Sequence, residues 1–264
     1  PHGAWAAARG SAAAAVAGGF TTVACMPNTL PALDHPEWIG YVDAAARSAD
    51  LARVYAIGCG TVGRRGREQA PIAELISAGA VGISDDGDGI EDDAMMQSVL
   101  ETVHAQGTCF MQHCQIPSMT RGAVMNAGPL ATKLGLVGWP AEAEEAMIER
   151  DLGLNATIGA RYHAQHVSSG GSVELLRRAR TQGQPATGEA SPHHLLLTES
   201  ACAGYDTFAK MNPPLRTPAD VDGLKEGIAD GTITVLATDH APHPAQTKAT
   251  DFTSASFGIV GLEC

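Results

Sequence analysis

The chain has 264 residues, 44% of them hydrophobic and 17% charged, with 17 Lys and Arg against 29 Asp and Glu, for a formal net charge of −12. The length fits one large α/β domain, since single barrels run to about 250 residues, and argues against a string of small modules. The acidic balance, with no run of Lys and Arg and no interleaving of aromatic and basic residues, argues against nucleic acid as a partner, because phosphate binding rests on clustered cations. It gives an anionic membrane surface no support either.

The most apolar early stretch, Ala12 to Met26, is broken by Gly18-Gly19 and Thr21-Thr22. It falls short of the roughly 20 apolar residues that a spanning helix needs. The opening Pro1-His2-Gly3-Ala4-Trp5 has no basic region and no signal-type apolar core, so nothing suggests export. Cys25, Cys59, Cys109, Cys114, Cys202 and Cys264 form no CxxC pair and no repeating spacing. That argues against a zinc knuckle and a disulfide framework and leaves a cytoplasmic protein with buried, unpaired thiols as the expectation.

In chain order, an Ala-rich helix from Trp5 to Ala17 precedes the first strand pattern, Phe20 to Cys25, which runs into Met26-Pro27-Asn28-Thr29. The next strand patterns are Arg53 to Ile57, Ala80 to Ser84 ending in Asp85-Asp86-Gly87, and Thr108 to Gln112 ending in His113. Three more follow: Arg161 to Val167, Pro185 to Ala190, and Ile233 to Thr238 ending in Asp239-His240. Between them, Asp34-His35-Pro36-Glu37 and Thr217-Pro218-Ala219-Asp220 each place a capping residue before a helix-starting proline, the second with the acidic residue of a capping box. Ala141 to Asn155 and Ser172 to Arg180 carry apolar residues at mixed spacings of three and four, the pattern of a helix with one face on a sheet. Such alternation predicts βαβ units and a parallel sheet. Two connections, Cys114 to Pro140 and Thr198 to Arg216, exceed ordinary lengths, which usually marks function.

The position of the polar residues selects among parallel folds. Asn28, Asp86, His113, His166 and Asp239 lie at or just beyond the ends of five different candidate strands, as in a (β/α)8 barrel, where chemistry gathers at one mouth. The GxGxxG fingerprint of a dinucleotide fold is missing. Seven strands are read where a barrel has eight, and the simplest account places strand one upstream of residue 1. The expectation is therefore a truncated (β/α)8 TIM barrel with strands 2 to 8 present, residues 1–264 forming one partial domain.

Two Asp and two His at strand ends make a plausible ligand set for a divalent metal such as Zn2+. Each has a plainer reading. Asp85-Asp86-Gly87 also reads as a solvated turn and His113 as a core histidine. His163 and His166 are three apart and on a strand would face opposite ways, which favours His166 as the ligand. His193-His194 has the same parity problem, and a structural role is expected there. Asp239, directly after an apolar strand, would be costly to bury unless paired or metal-bound.

Seven motifs in order give the chain its resemblance: Gly18-Gly19-Phe20-Thr21-Thr22-Val23, Met26-Pro27-Asn28-Thr29, Ser84-Asp85-Asp86-Gly87, Glu189 to Thr198, Met211-Asn212-Pro213-Pro214-Leu215-Arg216, Ala237 to His243 and Phe257 to Glu263. Together the chain resembles the bacterial dihydroorotases of the amidohydrolase superfamily, over nearly its whole length. The resemblance implies a barrel with two zinc ions that interconverts N-carbamoyl-L-aspartate and L-dihydroorotate in pyrimidine biosynthesis. It implies Asp86, His113, His166 and Asp239 as metal ligands, with Asp239 also the general acid/base. It implies Asn28, Asn212, His243 and the backbone of Phe257 and Gly258 as substrate contacts. It further implies a cytoplasmic protein, with a homodimer or an association with aspartate transcarbamoylase as the partner states.

Departures from the family pattern shape the expectation. The family's HxH motif and the Arg that follows it are absent, the C-terminal part is also absent, and His113 is followed by Cys114-Gln115-Ile116 rather than Cys-Glu-Asp. The chain is thus expected to be a fragment, inactive by itself, of an active parent. Because the substrate is anionic and the chain acidic, a local cation is needed, and Arg216 is the candidate, placed at the rim. The alternatives are an inactive scaffold subunit of aspartate transcarbamoylase and a related cyclic amidase, an allantoinase or hydantoinase. The last generally bridges its metals with a carboxylated Lys, and the corresponding strand end offers Ser84-Asp85-Asp86.

Overall fold

The computed structural model describes residues 2–262, with side chains from Gly10 onward. Glu263 of the last motif and Cys264, expected as a buried thiol, lie outside the described residues. Two compact units divide the described residues: those up to His113 with Thr157–Tyr162 and Leu262, and Cys114–Ala156 with His163–Gly261.

The first unit alternates helix and strand as α1 (His2–Ala17), β1 (Thr22–Cys25), α2 (Pro36–Ala49), β2 (Arg53–Gly58), α3 (Ile72–Ser77), β3 (Gly82–Ile83), α4 (Asp93–Ala105) and β4 (Cys109–Gln112). Strands β1 to β4 pair in chain order, all parallel, with Thr22 beside Arg53, Ile57 beside Gly82 and Ile83 beside Phe110. The connecting helices follow from apolar spacing. In α4, Met96, Val99, Leu100 and Val103 form a fully buried stripe, each such side chain stabilising the fold by about 1.5–3 kcal/mol. The helix starts where the Asp92 side chain accepts from Met95 N, an N-cap. Helix α2 has His35 as its N-cap, accepting from Glu37 N at 3.3 Å, while Asp34 accepts from Gly63 N at 2.8 Å and so anchors a loop.

The second unit contains α5 (Pro117–Thr120), β5 (Met125–Asn126), α6 (Pro129–Leu134), β6 (Gly138–Trp139), α7 (Glu142–Ile158), β7 (Arg161–Ala164), α8 (Gly170–Thr181), β8 (Ala186–Ala190), α9 (Pro192–Leu196), α10 (Pro218–Ala229), β9 (Val235–Leu236) and α11 (Ala245–Lys248). The last residues of α7 and the first two of β7 are assigned to the first unit, so β7 is common to both. The large sheet runs β1-β2-β3-β4-β7-β8-β9, and β8 pairs with β9 in parallel, Glu189 beside Val235. All seven sequence-predicted strands are present. The last shrinks from six residues to two, with Val235 and Leu236 exposed.

The long connection Cys114 to Pro140 is not a plain loop: β5 and β6 pair in parallel within it, Met125 beside Gly138. Its residues Val124, Met125 and Ala131 share a core cluster with Cys202, Ala209, Leu215 and Phe252. Helices α8 and α10 approach closely because small residues face each other; a Cβ on Gly223 would stand 2.9 Å from the Gly170 Cα. The predicted capping box forms in full, with Thr217 Oγ1 accepting from Asp220 N and Asp220 accepting from Thr217 N. The cysteines Cys25, Cys59, Cys109, Cys114 and Cys202 are free, the second and the last two fully buried. No helix among the described residues is long and apolar enough to cross a membrane.

Candidate active site

In the first unit the chemistry is set on the turn after β3. Asp85 is buried, 1% exposed, and accepts from Gly60 N at 2.9 Å, Thr61 N at 3.0 Å and the Thr61 hydroxyl. The solvated-turn reading of this residue is therefore corrected: the carboxylate is the anchor of the loop 60–66. Burial pushes its pKa up, and the donors from Thr61 and Gly60 pull it back.

That anchoring turns Asp86 outward to three neighbours. Its Oδ2 accepts from Asn28 Nδ2 at 2.7 Å, its Oδ1 lies 3.6 Å from His113 Nδ1, and its carbonyl accepts from Arg64 Nη1 at 2.5 Å. Arg64 also pairs with Asp88 at 2.9 Å. Nothing in the local pattern marks Arg64, because its place depends on the fold of loop 60–66. Two ligand atoms sharing a tetrahedral zinc at about 2.0–2.2 Å stand roughly 3.3–3.6 Å apart. The Asp86–His113 spacing fits that chemistry, and it is too long for a direct hydrogen bond.

In the second unit, His166 follows β7 and Asp239 follows β9, and both hold positive φ, 31° and 44°. This left-handed backbone is uncommon for residues other than Gly and concentrates at functional sites. Glu189 on β8 fixes the neighbourhood: its Oε1 accepts from His166 N at 3.2 Å and its Oε2 from His163 Nε2 at 3.0 Å, while Thr187 bonds His163 Nδ1 at 2.8 Å. Sequence reasoning missed Glu189, although an acidic residue inside an apolar strand is a signal in itself. His163 is thus occupied by Thr187 and Glu189.

The two adjacent histidines of α9 divide. His194 donates from Nε2 to the Pro213 carbonyl at 2.9 Å, leaving Nδ1 to accept the Ser191 hydroxyl at 2.7 Å. Burial, reinforced by His193, holds its pKa well below the usual histidine value, so it is a neutral structural group. His193 faces the other way, its Nε2 3.7 Å from Asp239 Oδ2. Both atoms are buried and make no hydrogen bond. A buried carboxylate oxygen in that condition is costly, and a divalent cation is the kind of group that satisfies it; the donor set fits a metal.

The expected substrate contacts of this unit lie on two packed segments. Gly258 N donates to the Lys210 carbonyl at 2.9 Å, two residues before Asn212. A Cβ on Gly258 would meet His243 Cδ2 at 2.8 Å, so the exposed His243 ring lies against the Gly258 backbone. Asn212 donates to Gln115 Oε1 at 3.4 Å, and its Oδ1 is buried with no hydrogen bond.

Arg216 is not at a rim. It is 2% exposed and donates to Ser168 Oγ at 3.1 Å, Asn126 Oδ1 at 2.9 Å and the Trp139 carbonyl at 2.7 Å. Ser168 N and Ser169 N in turn donate to Glu144, itself 1% exposed, at 3.0 and 3.1 Å. Burial lowers the Arg216 pKa while Glu144 and Asp220 oppose the shift. The guanidinium is a buried tie between β5, β6 and the segment after His166, which its motif alone could not disclose.

The Dihydro-orotase-like family model matches residues 3–172. The chain is 45% identical over 250 residues to the Dihydroorotase of Pelotomaculum thermopropionicum, covering 95% of this chain and 58% of that protein. It is 46% identical over 252 residues to the Dihydroorotase of Leifsonia xyli subsp. xyli, again covering 95% and 58%. The chain therefore spans just under three-fifths of the length of these relatives. Among solved structures, the L-hydantoinase of Arthrobacter aurescens superposes with a TM-score of 0.82 at 24% identity, over 96% of this chain and 58% of that one. The dihydroorotase of Saccharomyces cerevisiae superposes with a TM-score of 0.75 at 16% identity, over 96% and 70%. At those identities the likeness shows the fold alone, the parallel strand and helix alternation of a (β/α)8 barrel. By its family match and its curated relatives, the chain belongs to the dihydroorotase-like family.

Proposed function

We propose that this chain is the larger part of a zinc-dependent dihydroorotase, catalysing the reversible cyclisation of N-carbamoyl-L-aspartate to L-dihydroorotate in cytoplasmic pyrimidine biosynthesis. The observation that carries the reading is the Asp86–His113–Asn28 cluster in a chain 45% identical to a protein named Dihydroorotase. We take residues 1–264 as one partial barrel domain.

In this reading Asp86, His113, His166 and Asp239 would hold zinc, two ions per site in the complete protein together with the upstream HxH. When bound, the metal supplies an activated water and polarises the ring carbonyl. The chain's own residues do the rest. Asp239 moves the proton between the attacking water and the ring nitrogen, as a general base and then an acid. Asn28, whose amide donates to the Asp86 carboxylate, is in this reading also a substrate contact. Asn212 Oδ1, buried and without a donor, suits a ureide N–H of the substrate. His243 and the backbone of Phe257 and Gly258 complete the contacts.

The test compares dihydroorotate hydrolysis, with added zinc, by this chain and by the chain joined at its N-terminus to the HxH-bearing strand of a curated relative. Turnover by the joined form alone supports the reading of an enzyme fragment. A joined form that folds and binds zinc but turns over no dihydroorotate sinks it, and leaves a scaffold of aspartate transcarbamoylase or another cyclic amidase.

A further inference from the structure

Lys210 and Lys248 are the two buried lysines among the described residues, 1% and 3% exposed, and every hydrogen bond of their ammonium groups goes to backbone carbonyls. Lys210 Nζ donates to Thr253 O at 2.8 Å and Ala255 O at 2.7 Å, and stands 4.3 Å from the ring centroid of Phe257. Lys248 Nζ donates to Thr207 O at 3.0 Å and Lys210 O at 3.3 Å. The same Lys210 carbonyl accepts from Gly258 N at 2.9 Å.

A lysine buried for packing alone would be a poor choice, since burial disfavours the charged form. Here burial does pull the Lys210 pKa down, with Lys248 adding to the effect. Two carbonyls and two aromatic faces, Phe257 and at 5.7 Å Phe252, nevertheless surround the cation, a combination that holds an ammonium by charge-assisted hydrogen bonds and by the ring quadrupole. All four groups belong to one segment, residues 252–257, and that segment has little regular structure of its own. Without such a tie a loop of this kind opens locally at low cost.

We propose that Lys210 is a positioning residue for substrate: its ammonium and its carbonyl hold the 253–258 segment so that the Phe257–Gly258 backbone stands beside Asn212 and His243. The proposal rests on the dihydroorotase reading for the identity of the substrate, but the tie itself does not. Lys210 touches no substrate; it acts through Phe257 and Gly258.

The test uses the full chain with Lys210→Met, which keeps most of the stem and removes the ammonium. Hydrogen exchange should rise at least about tenfold for amides in 253–258 while β8 and α8 exchange as in the wild type. In the form joined to the HxH-bearing strand, the dissociation constant for L-dihydroorotate, measured with zinc present, should rise about tenfold while zinc affinity stays unchanged. Unchanged exchange overturns the proposal, and so does an equal rise across β8 and α8, which marks a residue of general stability. Phe257→Leu is the second variant, keeping both carbonyl bonds and losing the ring face; it should loosen the same segment about two- to threefold, and no local change there overturns the proposal if the methionine variant fails to fold. A wild-type form joined to the HxH-bearing strand that binds zinc but no L-dihydroorotate overturns the function reading and the substrate half of this proposal, while the exchange data still decide the tie.

Discussion

The first unit fixes its buried acid, Asp85, with two backbone N–H groups and one hydroxyl drawn from the adjacent residues Gly60 and Thr61. The second fixes Glu144 and Arg216 with side chains and backbone from β5, β6, α7 and the Ser168-Ser169 segment. The difference lies in how the cost of burying charge is met. A single loop satisfies Asp85, so that anchor stands or falls with one loop. Arg216 serves several partners at once, and its loss leaves buried acceptors in each of them.

Arg216→Met gives the largest effect. It should cost about 3–5 kcal/mol in urea unfolding, the range for removing one partner of a buried ionic cluster. Glu144→Gln in the same background should then cost much less than it does alone, because the two belong to one network. Additive losses would break the contrast drawn between the units.

Asp85→Asn comes next, at about 2 kcal/mol, since the amide oxygen can keep the Gly60 and Thr61 N–H groups but its NH2 faces the donating Thr61 hydroxyl, and the charge-assisted bonds are lost. Asp86→Asn, one residue on, should alter stability far less while weakening zinc binding in a calorimetric titration. Equal stability losses at the two positions would show that the turn does not separate anchor from ligand.

The smallest effect is a pH dependence. Burial raises the Cys109 and Cys202 thiols from 9.0 to about 11. A raised folded-state pKa stabilises the fold below the unfolded value and loses that contribution as pH rises from about 9 toward 11. The buried lysines shift stability the opposite way over nearby pH, so the comparison must be internal. The urea midpoint of Cys202→Ala should fall less steeply than that of the wild type between pH 9 and 11; parallel curves would remove the thiol contribution.

The same contrast explains what could be read in advance. Parallel strands announce themselves by short apolar runs, and the seven expected ones lie where β1 to β4 and β7 to β9 are found. Asp86 and His113 were legible as a pair of strand-end ligand types because local sequence places them there. Arg216 was misplaced because its partners Asn126, Trp139 and Ser168 are between 48 and 90 residues away, and no short motif encodes such a meeting. The β5–β6 pair escaped for a related reason: two-residue strands carry too little periodicity to stand out. Glu189 and His193 fall between these cases, since their residue types were visible but their facing depended on the fold around β8 and α9.

Gly258 carries a consequence for genetic variation. Its φ of 145° is one that other residues rarely adopt, and an added Cβ would stand 2.3 Å from the Ala241 carbonyl oxygen. Every missense change open to a glycine codon by one nucleotide installs a Cβ. No single-base missense variant at this position can therefore be silent in the folded protein, and a gene that keeps this loop must keep its glycine codon.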